Sequence, residues 1–150
     1  MDIRESLDND IDPLESFDLA RASVAAGQRR LLSAIAKCER AGVWRTDGCR
    51  DMAQWLSGRM GISNWAARRW AAAAHSLERL PLISAAMEAG SVSVDKVLEL
   101  CRFATLESEQ ELVGWAQRVS PATVRRRADV ATGQDIQDVK EADRARFVRG

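Results

Sequence analysis

The amino-acid sequence predicts an all-α fold, a multi-helical orthogonal bundle without a β-sheet. Glycine and proline, which break helices, account for only 9 and 3 of the 150 residues. Hydrophobic residues make up 46% of the chain, and they recur at steps of three or four positions, which is the helical period. Long runs of alternating β-branched residues, which are typical of strands, are missing. We therefore expect a single helical domain over residues 14–150, preceded by a flexible acidic tail at residues 1–13.

The first predicted helix runs from about Leu14 to Ala41, and Gly42 is suited to end it. Its apolar residues recur at steps of three, four or seven positions: Phe17, Val24, Leu31, Ile35 and Cys38. A polar break at residues 45–48 separates it from a short helix over residues 50–60. The apolar side of that short helix consists of Met52, Trp55 and Leu56.

Serine and proline residues mark the starts of the remaining helices. Ser63, Ser93 and Ser120 are favourable N-cap residues, and Pro81 and Pro121 suit the first turn of a helix. The predicted helices cover residues 63–80, 81–89, 93–101, 107–118 and 120–132, with a weaker pattern over 135–148. Acidic residues crowd the start of the helix over 107–118, where the helix dipole favours them: Glu107, Glu109 and Glu111.

The segment from Asp51 to Leu77 is predicted to form a helix-turn-helix, because a three-residue connection with a glycine joins its two helices. At 100° per residue, the second helix has a polar stripe of Asn64, Arg68 and His75. The opposite, core-facing side consists of Ala66, Trp70, Ala73 and Leu77, and the flank of Trp65, Arg69 and Ser76. A DNA recognition helix needs polar donors near its N-terminus. The candidate DNA contacts are therefore Ser63, Asn64, Arg68 and Arg69; the alternative is an ordinary solvated helix face.

Three consecutive arginines form a second candidate site: Arg125, Arg126 and Arg127. They lie in the middle of the helix that begins at Ser120, and its apolar positions fall elsewhere, so the arginines project outward or sideways. Arginine is suited to bidentate contacts with phosphate and guanine. We expect these side chains to bind DNA phosphates; the alternative is again a solvated face, in an arginine-rich sequence.

Five tryptophans and no tyrosine suggest base stacking as a further hypothesis. Trp55, Trp70 and Trp115 stand at helical spacing beside alanines, so we expect them in the core. Trp65 lies on the flank of its helix, where we expect it to line a groove or an interface.

The net charge of zero conceals a strong asymmetry. The chain has 22 basic and 22 acidic residues. Residues 1–20 carry seven acidic residues and one basic residue, a net charge of −6, so the remainder carries +6. A basic body favours a nucleic-acid partner, whereas the acidic head is either a solubilising tail or a DNA mimic that masks the body.

Several classes of function are not supported by the sequence. It has no apolar run long enough to cross a membrane and no secretory signal. Three distant cysteines and a single histidine argue against disulfides, metal sites and cofactors, and favour the cytoplasm. No glycine-rich phosphate loop or catalytic set is evident, so we expect no enzyme activity.

The run DGCRDMAQWL at residues 47–56 resembles the G-x-x-S-x-x-x-W-L segment of a bacterial family, domain of unknown function 222, also called the 13E12 repeat family. Asp51 stands where the family often has serine. The similarity covers about residues 15–148 and includes Gly61–Ser63, Leu80–Pro81, Gly90–Ser93 and Arg125–Arg127. The order of helix-turn-helix, L-P and G-x-x-S is also similar to the DNA-binding domain of ParB-type partition proteins.

The resemblance to domain of unknown function 222 implies a helical domain that usually precedes an HNH endonuclease domain. The nuclease metal site has no counterpart here, because His75 is the only histidine, so we expect the chain to be truncated before a downstream nuclease region. The implied function is a DNA-binding or targeting module without a catalytic site. The alternative is a helical protein-interaction or oligomerisation scaffold, which associates with itself or with the missing C-terminal region.

Overall fold

The computed structural model describes residues 12–133, and this part of the chain contains eight helices and no strand. The helices are α1 (Pro13–Ala41), α2 (Val43–Thr46), α3 (Met52–Met60), α4 (Asn64–Leu77), α5 (Pro81–Glu88), α6 (Val94–Leu100), α7 (Glu109–Ala116) and α8 (Pro121–Thr132). The all-α prediction is confirmed. The predicted acidic tail, apart from its last two residues, and the weak helix over 135–148 lie outside the described residues.

The predicted caps form as expected. The hydroxyls of Ser63, Ser93 and Ser120 accept hydrogen bonds from the backbone N–H three residues later, at 3.0, 3.4 and 3.2 Å. Gly42 and Gly61 end α1 and α3 with φ angles of 69° and 67°, a left-handed conformation that favours glycine. The main helix boundaries are therefore set locally.

Several helix boundaries differ from the sequence prediction; α7, for example, covers Glu109–Ala116 rather than residues 107–118. The supposed polar break at residues 45–48 is partly helical, because α2 starts directly after Gly42 and packs Trp44 against the core. The predicted tail ends too late, because Asp12 caps α1 and Pro13 already belongs to it. α4 ends at Leu77, three residues earlier than predicted.

α4 is the central helix of the domain, with α1, α3, α5 and α6 packed around it. Three fully buried alanines, Ala67, Ala73 and Ala74, let these neighbours approach it closely. α8 packs on α6, and α7 packs on α5. Large buried side chains fill the space between the helices: Leu32, Leu56, Leu77, Ile83, Met87, Leu100, Leu112 and Val124.

The apolar period of α1 identifies the helix but not its buried face. Ile35 is buried as expected, whereas Phe17 and Val24 have 63% and 58% of their surface exposed. The reason is length: 29 residues extend about 43 Å, whereas the helices against which α1 packs have 14 and 8 residues. The N-terminal turns of α1 therefore reach beyond the described core.

Glu109 is the most deeply buried charged residue in the described part of the chain, at 1% exposure. Its carboxylate accepts hydrogen bonds from the backbone N–H groups of Leu82 and Ile83, at 3.0 and 3.2 Å. α5 has no side-chain cap of its own, so a residue of α7 provides one across the domain. The sequence placed Glu109 at the start of α7 but did not predict this contact.

We expect Glu109→Ala to lower the free energy of unfolding by about 1–3 kcal/mol, because it removes the acceptor of two backbone N–H groups of α5, of which that of Ile83 is buried. Glu109→Gln retains an acceptor oxygen and should cost less. Urea unfolding followed by circular dichroism measures both changes. The control is Glu107→Ala at an exposed position, which should change stability by less than about 0.5 kcal/mol. Equal stability of Glu109→Ala and the wild type would contradict the assigned role.

Candidate nucleic-acid interface

Local hydrogen bonds fix both ends of α3, including its turn into α4. The Asp51 carboxylate accepts from the backbone N–H of Gln54 at 2.8 Å, and the Gln54 side chain accepts from the backbone N–H of Arg50 at 2.7 Å. This arrangement is a variant of the capping box, in which the side chain of Gln54 accepts from the residue before the N-cap Asp51 instead of from Asp51 itself. At the other end of α3, the Ser57 hydroxyl donates to the carbonyl of Ile62 at 2.6 Å. The first turns of α4 therefore have a defined position relative to α3.

The exposed polar face of α4 is confined to its first two turns. Asn64 and Arg68 are exposed, as the helical wheel predicts. His75 was predicted on the same stripe, but its Nε2 contacts the Glu39 carboxylate of α1 at 2.5 Å. The predicted stripe is therefore in contact with α1 at its C-terminal end.

The predicted core face of α4 is partly correct. Ala73 and Leu77 are buried, but Ala66 and Trp70 are only half-buried. Both half-buried residues line a groove, and this groove accounts for their remaining exposure.

Arg69 does not project freely from the flank of α4. Only 16% of its side-chain surface is exposed, and its guanidinium lies 3.4 Å from the carboxylate of Glu99 on α6. Burial lowers the pKa of Arg69, and the charge of Glu99 opposes this shift. The guanidinium of Arg69 is therefore already paired with a carboxylate inside the protein.

Glu99 belongs to a buried ion network that joins three parts of the fold. The same carboxylate oxygen accepts from Arg102 at 2.7 Å, and Arg102 also donates to Asp129 of α8 at 2.7 Å. Burial acts to lower the pKa of Arg102, but the hydrogen bonds with Glu99 and Asp129 outweigh it, so the pKa is raised. We call Arg69, Glu99, Arg102 and Asp129 the buried ion network. Sequence reasoning missed it, although the i, i+3 spacing of Glu99 and Arg102 was visible.

Trp65 connects α4 with α8. The guanidinium carbons of Arg69 and Arg125 lie 4.5 and 5.3 Å from the centroid of its ring. Arg125 comes from a segment about 60 positions later in the sequence, so the packing of α8 on α6 brings the two candidate sites together. Trp65 lines the groove between α4, α6 and α8, which we call the Trp65 groove.

The three arginines of α8 have different environments. Arg125 and Arg126 are exposed, as the sequence predicts. Arg127 lies over the ring of Trp115 at 4.5 Å and pairs with Glu111 at 3.5 Å. Its side chain therefore contributes to the contact between α8 and α7.

The candidate contacts fall into two groups by exposure. Exposed positions hold Ser63, Asn64, Arg68, Arg125 and Arg126, and partly buried, paired positions hold Arg69 and Arg127. The hydroxyl of Ser63 already accepts the capping hydrogen bond of α4, but it can still donate one to a phosphate. Whether any of these residues binds DNA remains a prediction.

The thiol of Cys101 is unsuited to nucleophilic chemistry. Burial raises its pKa to about 12, against the opposing effect of Arg29. The thiolate, which is the reactive form, is therefore absent at neutral pH. Among residues 12–133, no group of three or more His, Cys, Asp or Glu side chains is placed to hold a metal ion.

One family model matches the chain, and its description is "Domain of unknown function (DUF222)". The match covers residues 12–144, which include all eight helices described above. The chain belongs to this family. No curated protein and no solved structure matches the DUF222 chain. None of its described helices is both long and apolar enough to cross a bilayer.

We expect Arg102→Met to lower the free energy of unfolding by about 3 kcal/mol, because it leaves the carboxylates of Glu99 and Asp129 without their main partner. Arg69 stays close to Glu99 and limits the loss. Thermal and urea unfolding measure the effect. Arg126→Met removes the same charge from an exposed position and should change stability by less than about 0.5 kcal/mol. Similar losses in both variants would show that net charge, not the network, is responsible.

Proposed function

We propose that this DUF222 domain binds DNA and targets an associated HNH endonuclease to it, without a catalytic site of its own. The association with a nuclease rests on the family resemblance, and the coding sequence immediately after Gly150 tests it. The DNA-binding part of the proposal rests on the geometry of α3, α4 and α8.

The observation that carries the proposal is the contact of Trp65 with Arg125, at 5.3 Å. Through it, the N-terminal turns of α4 and the arginine segment of α8 share one surface. Asn64 and Arg68 supply polar groups at the start of α4, Arg125 supplies charge beside Trp65, and Arg126 is exposed at the next position of α8. Recognition helices use this combination of N-terminal donors and flanking phosphate contacts.

The mechanism follows the usual roles of the two groups of side chains. The start of α4 enters the major groove, where Asn64 is suited to adenine and Arg68 to guanine. Arg125 and Arg126 bind phosphates and set the register of the helix on the duplex. Arg69 and Arg127 act indirectly, since their ion pairs hold Trp65 and α8 in place.

We expect Arg68→Ala/Arg126→Ala to weaken duplex binding at least about tenfold, because a base contact and a phosphate contact are both lost. Fluorescence anisotropy with a labelled duplex at several salt concentrations measures this. The wild type should lose affinity steeply with salt, since phosphate contacts release counterions. The double variant should depend less on salt.

The matched control for this experiment is Arg30→Ala/Arg79→Ala. It removes the same charge from two other exposed arginines, one on α1 and one just after α4. If both double variants lost the same affinity, binding would reflect net charge alone, and the assignment of α4 to the DNA groove would be wrong.

A specific observation also supports the alternative function, a self-associating scaffold. α1 exposes an apolar stripe that begins in its N-terminal turns and ends beside the core: Leu14, Phe17, Val24 and Leu31. Phe17 and Leu31 each lie seven positions from Val24, so they share one face of the helix. Two copies of α1 packed antiparallel about Val24 would place Phe17 of each copy opposite Leu31 of the other.

If the domain self-associates through this stripe, size-exclusion chromatography with light scattering should give about twice the chain mass of 16.6 kDa. Phe17→Ser/Val24→Ser should then give a monomer, because polar side chains remove the apolar contact. The control is Leu106→Ser/Val130→Ser, which changes two exposed apolar residues elsewhere. A monomeric wild type at all concentrations would exclude this alternative.

A further inference from the structure

The Trp65 groove has the size and lining of a small-ligand site. Its volume is about 490 Å³, within the range of roughly 300–1,000 Å³ that is typical of such sites. Trp65, Trp70 and Leu98 give it apolar walls, and Asp95 and Arg125 contribute opposite charges. A ligand with a flat apolar body and a polar edge fits this combination.

We propose that the Trp65 groove binds one unpaired nucleotide of single-stranded DNA, with its base stacked on Trp65 and its phosphate bound by Arg125. This inference rests on the proposed DNA-binding function and adds a substrate class to it. In this proposal, the helix-turn-helix binds duplex DNA, whereas the groove binds a base that is not paired.

The exposure of Trp65 supports a stacking role. Trp65 has 51% of its surface exposed. The other four tryptophans are partly buried against the core: Trp44, Trp55, Trp70 and Trp115. An exposed indole next to cationic side chains is the usual platform for a nucleic-acid base, and such stacking tolerates every base.

Arg125 is the side chain that can exchange its contact for a phosphate. Arg69 is held by Glu99, but no carboxylate of the described residues lies within 4.0 Å of the Arg125 guanidinium. Its contact with the exposed ring of Trp65 is weak, and a hydrogen bond to phosphate is charge-assisted and stronger. When Arg125 moves to the phosphate, the position that it held over the ring of Trp65 becomes available to a base, while Arg69 stays in place.

Asp95 introduces a preference among bases. It lies in the first turn of α6, is exposed, and lines the groove. A carboxylate accepts hydrogen bonds from the amino group of cytosine, and thymine has no amino group. The groove should therefore prefer cytosine to thymine.

Unpaired DNA is favoured because a paired base cannot reach the ring of Trp65. A base in a duplex must first leave its stack, at a cost of a few kcal/mol, whereas a single strand avoids most of this cost. The groove is therefore suited to melted or single-stranded segments next to a duplex that α4 contacts.

The test measures the affinity of the full chain for four labelled probes: oligo-deoxycytidylate, oligo-deoxythymidylate, an abasic strand of the same length, and a duplex. The wild type should bind the probes in the order deoxycytidylate, thymidylate, abasic. Trp65→Leu should lose about five- to 100-fold on deoxycytidylate, the range expected for a lost stack, and should fall to the level of the abasic strand. Trp65→Phe should recover part of the loss.

Two further variants separate the phosphate contact from the base contact. Arg125→Ala should weaken binding of all single strands, including the abasic strand, and leave the ratio of deoxycytidylate to abasic affinity almost unchanged. Asp95→Asn should reduce the preference for cytosine over thymine. Thermal unfolding of each variant confirms that the domain is folded.

The duplex probe distinguishes failure of this site from failure of the proposed function. Equal binding of deoxycytidylate and abasic strands by the wild type would overturn the nucleotide site, and so would equal losses of single-strand and duplex affinity in Trp65→Leu. Binding to single strands but not to the duplex would support the site and overturn the docking of α4 in duplex DNA. Failure to bind any of the four probes would overturn both.

Discussion

The carboxylate of Glu99, held between the guanidinium groups of Arg69 and Arg102, is the contact on which the arrangement of α4, α6 and α8 depends. Its shared oxygen lies 3.4 and 2.7 Å from the two arginines, and Arg102 continues to Asp129 of α8. Apolar packing between helices is non-directional, whereas buried ion pairs require defined partners and geometry. The network therefore fixes which face of α8 meets α6, and with it the direction in which Arg125 projects.

The candidate interface is the exposed continuation of this network. From the interior outward, Glu99 holds Arg69, Arg69 lies over Trp65, and Trp65 contacts Arg125. The inner members have partners of opposite charge, so they provide rigidity rather than binding capacity. Arg125, at the outer end, lies over the ring of Trp65 and forms no ion pair within the described part of the chain. A rigid support that carries one adaptable cation at its outer end is suited to an anionic ligand.

Local features of the fold were predictable from the sequence, because they depend on residues within about four positions of one another. Ser63 caps α4 through Ala66, and Gly61 supplies the left-handed turn before it. The exposure of Asn64 and Arg68 followed from helical geometry alone. The uneven distribution of charge was also visible in the sequence, because a division at residue 20 separates an acidic head from a basic body.

The sequence by itself determined that this chain is helical, where most of its helices begin and end, and which side chains are candidates for DNA contacts. Only the tertiary structure decided that His75 meets Glu39, that Arg69 is paired with Glu99, and that Glu109 caps α5. These contacts join residues 26 to 36 positions apart. The helical period predicts which residues share a face of a helix. It does not predict which other helix covers that face, because that depends on the packing of the whole domain.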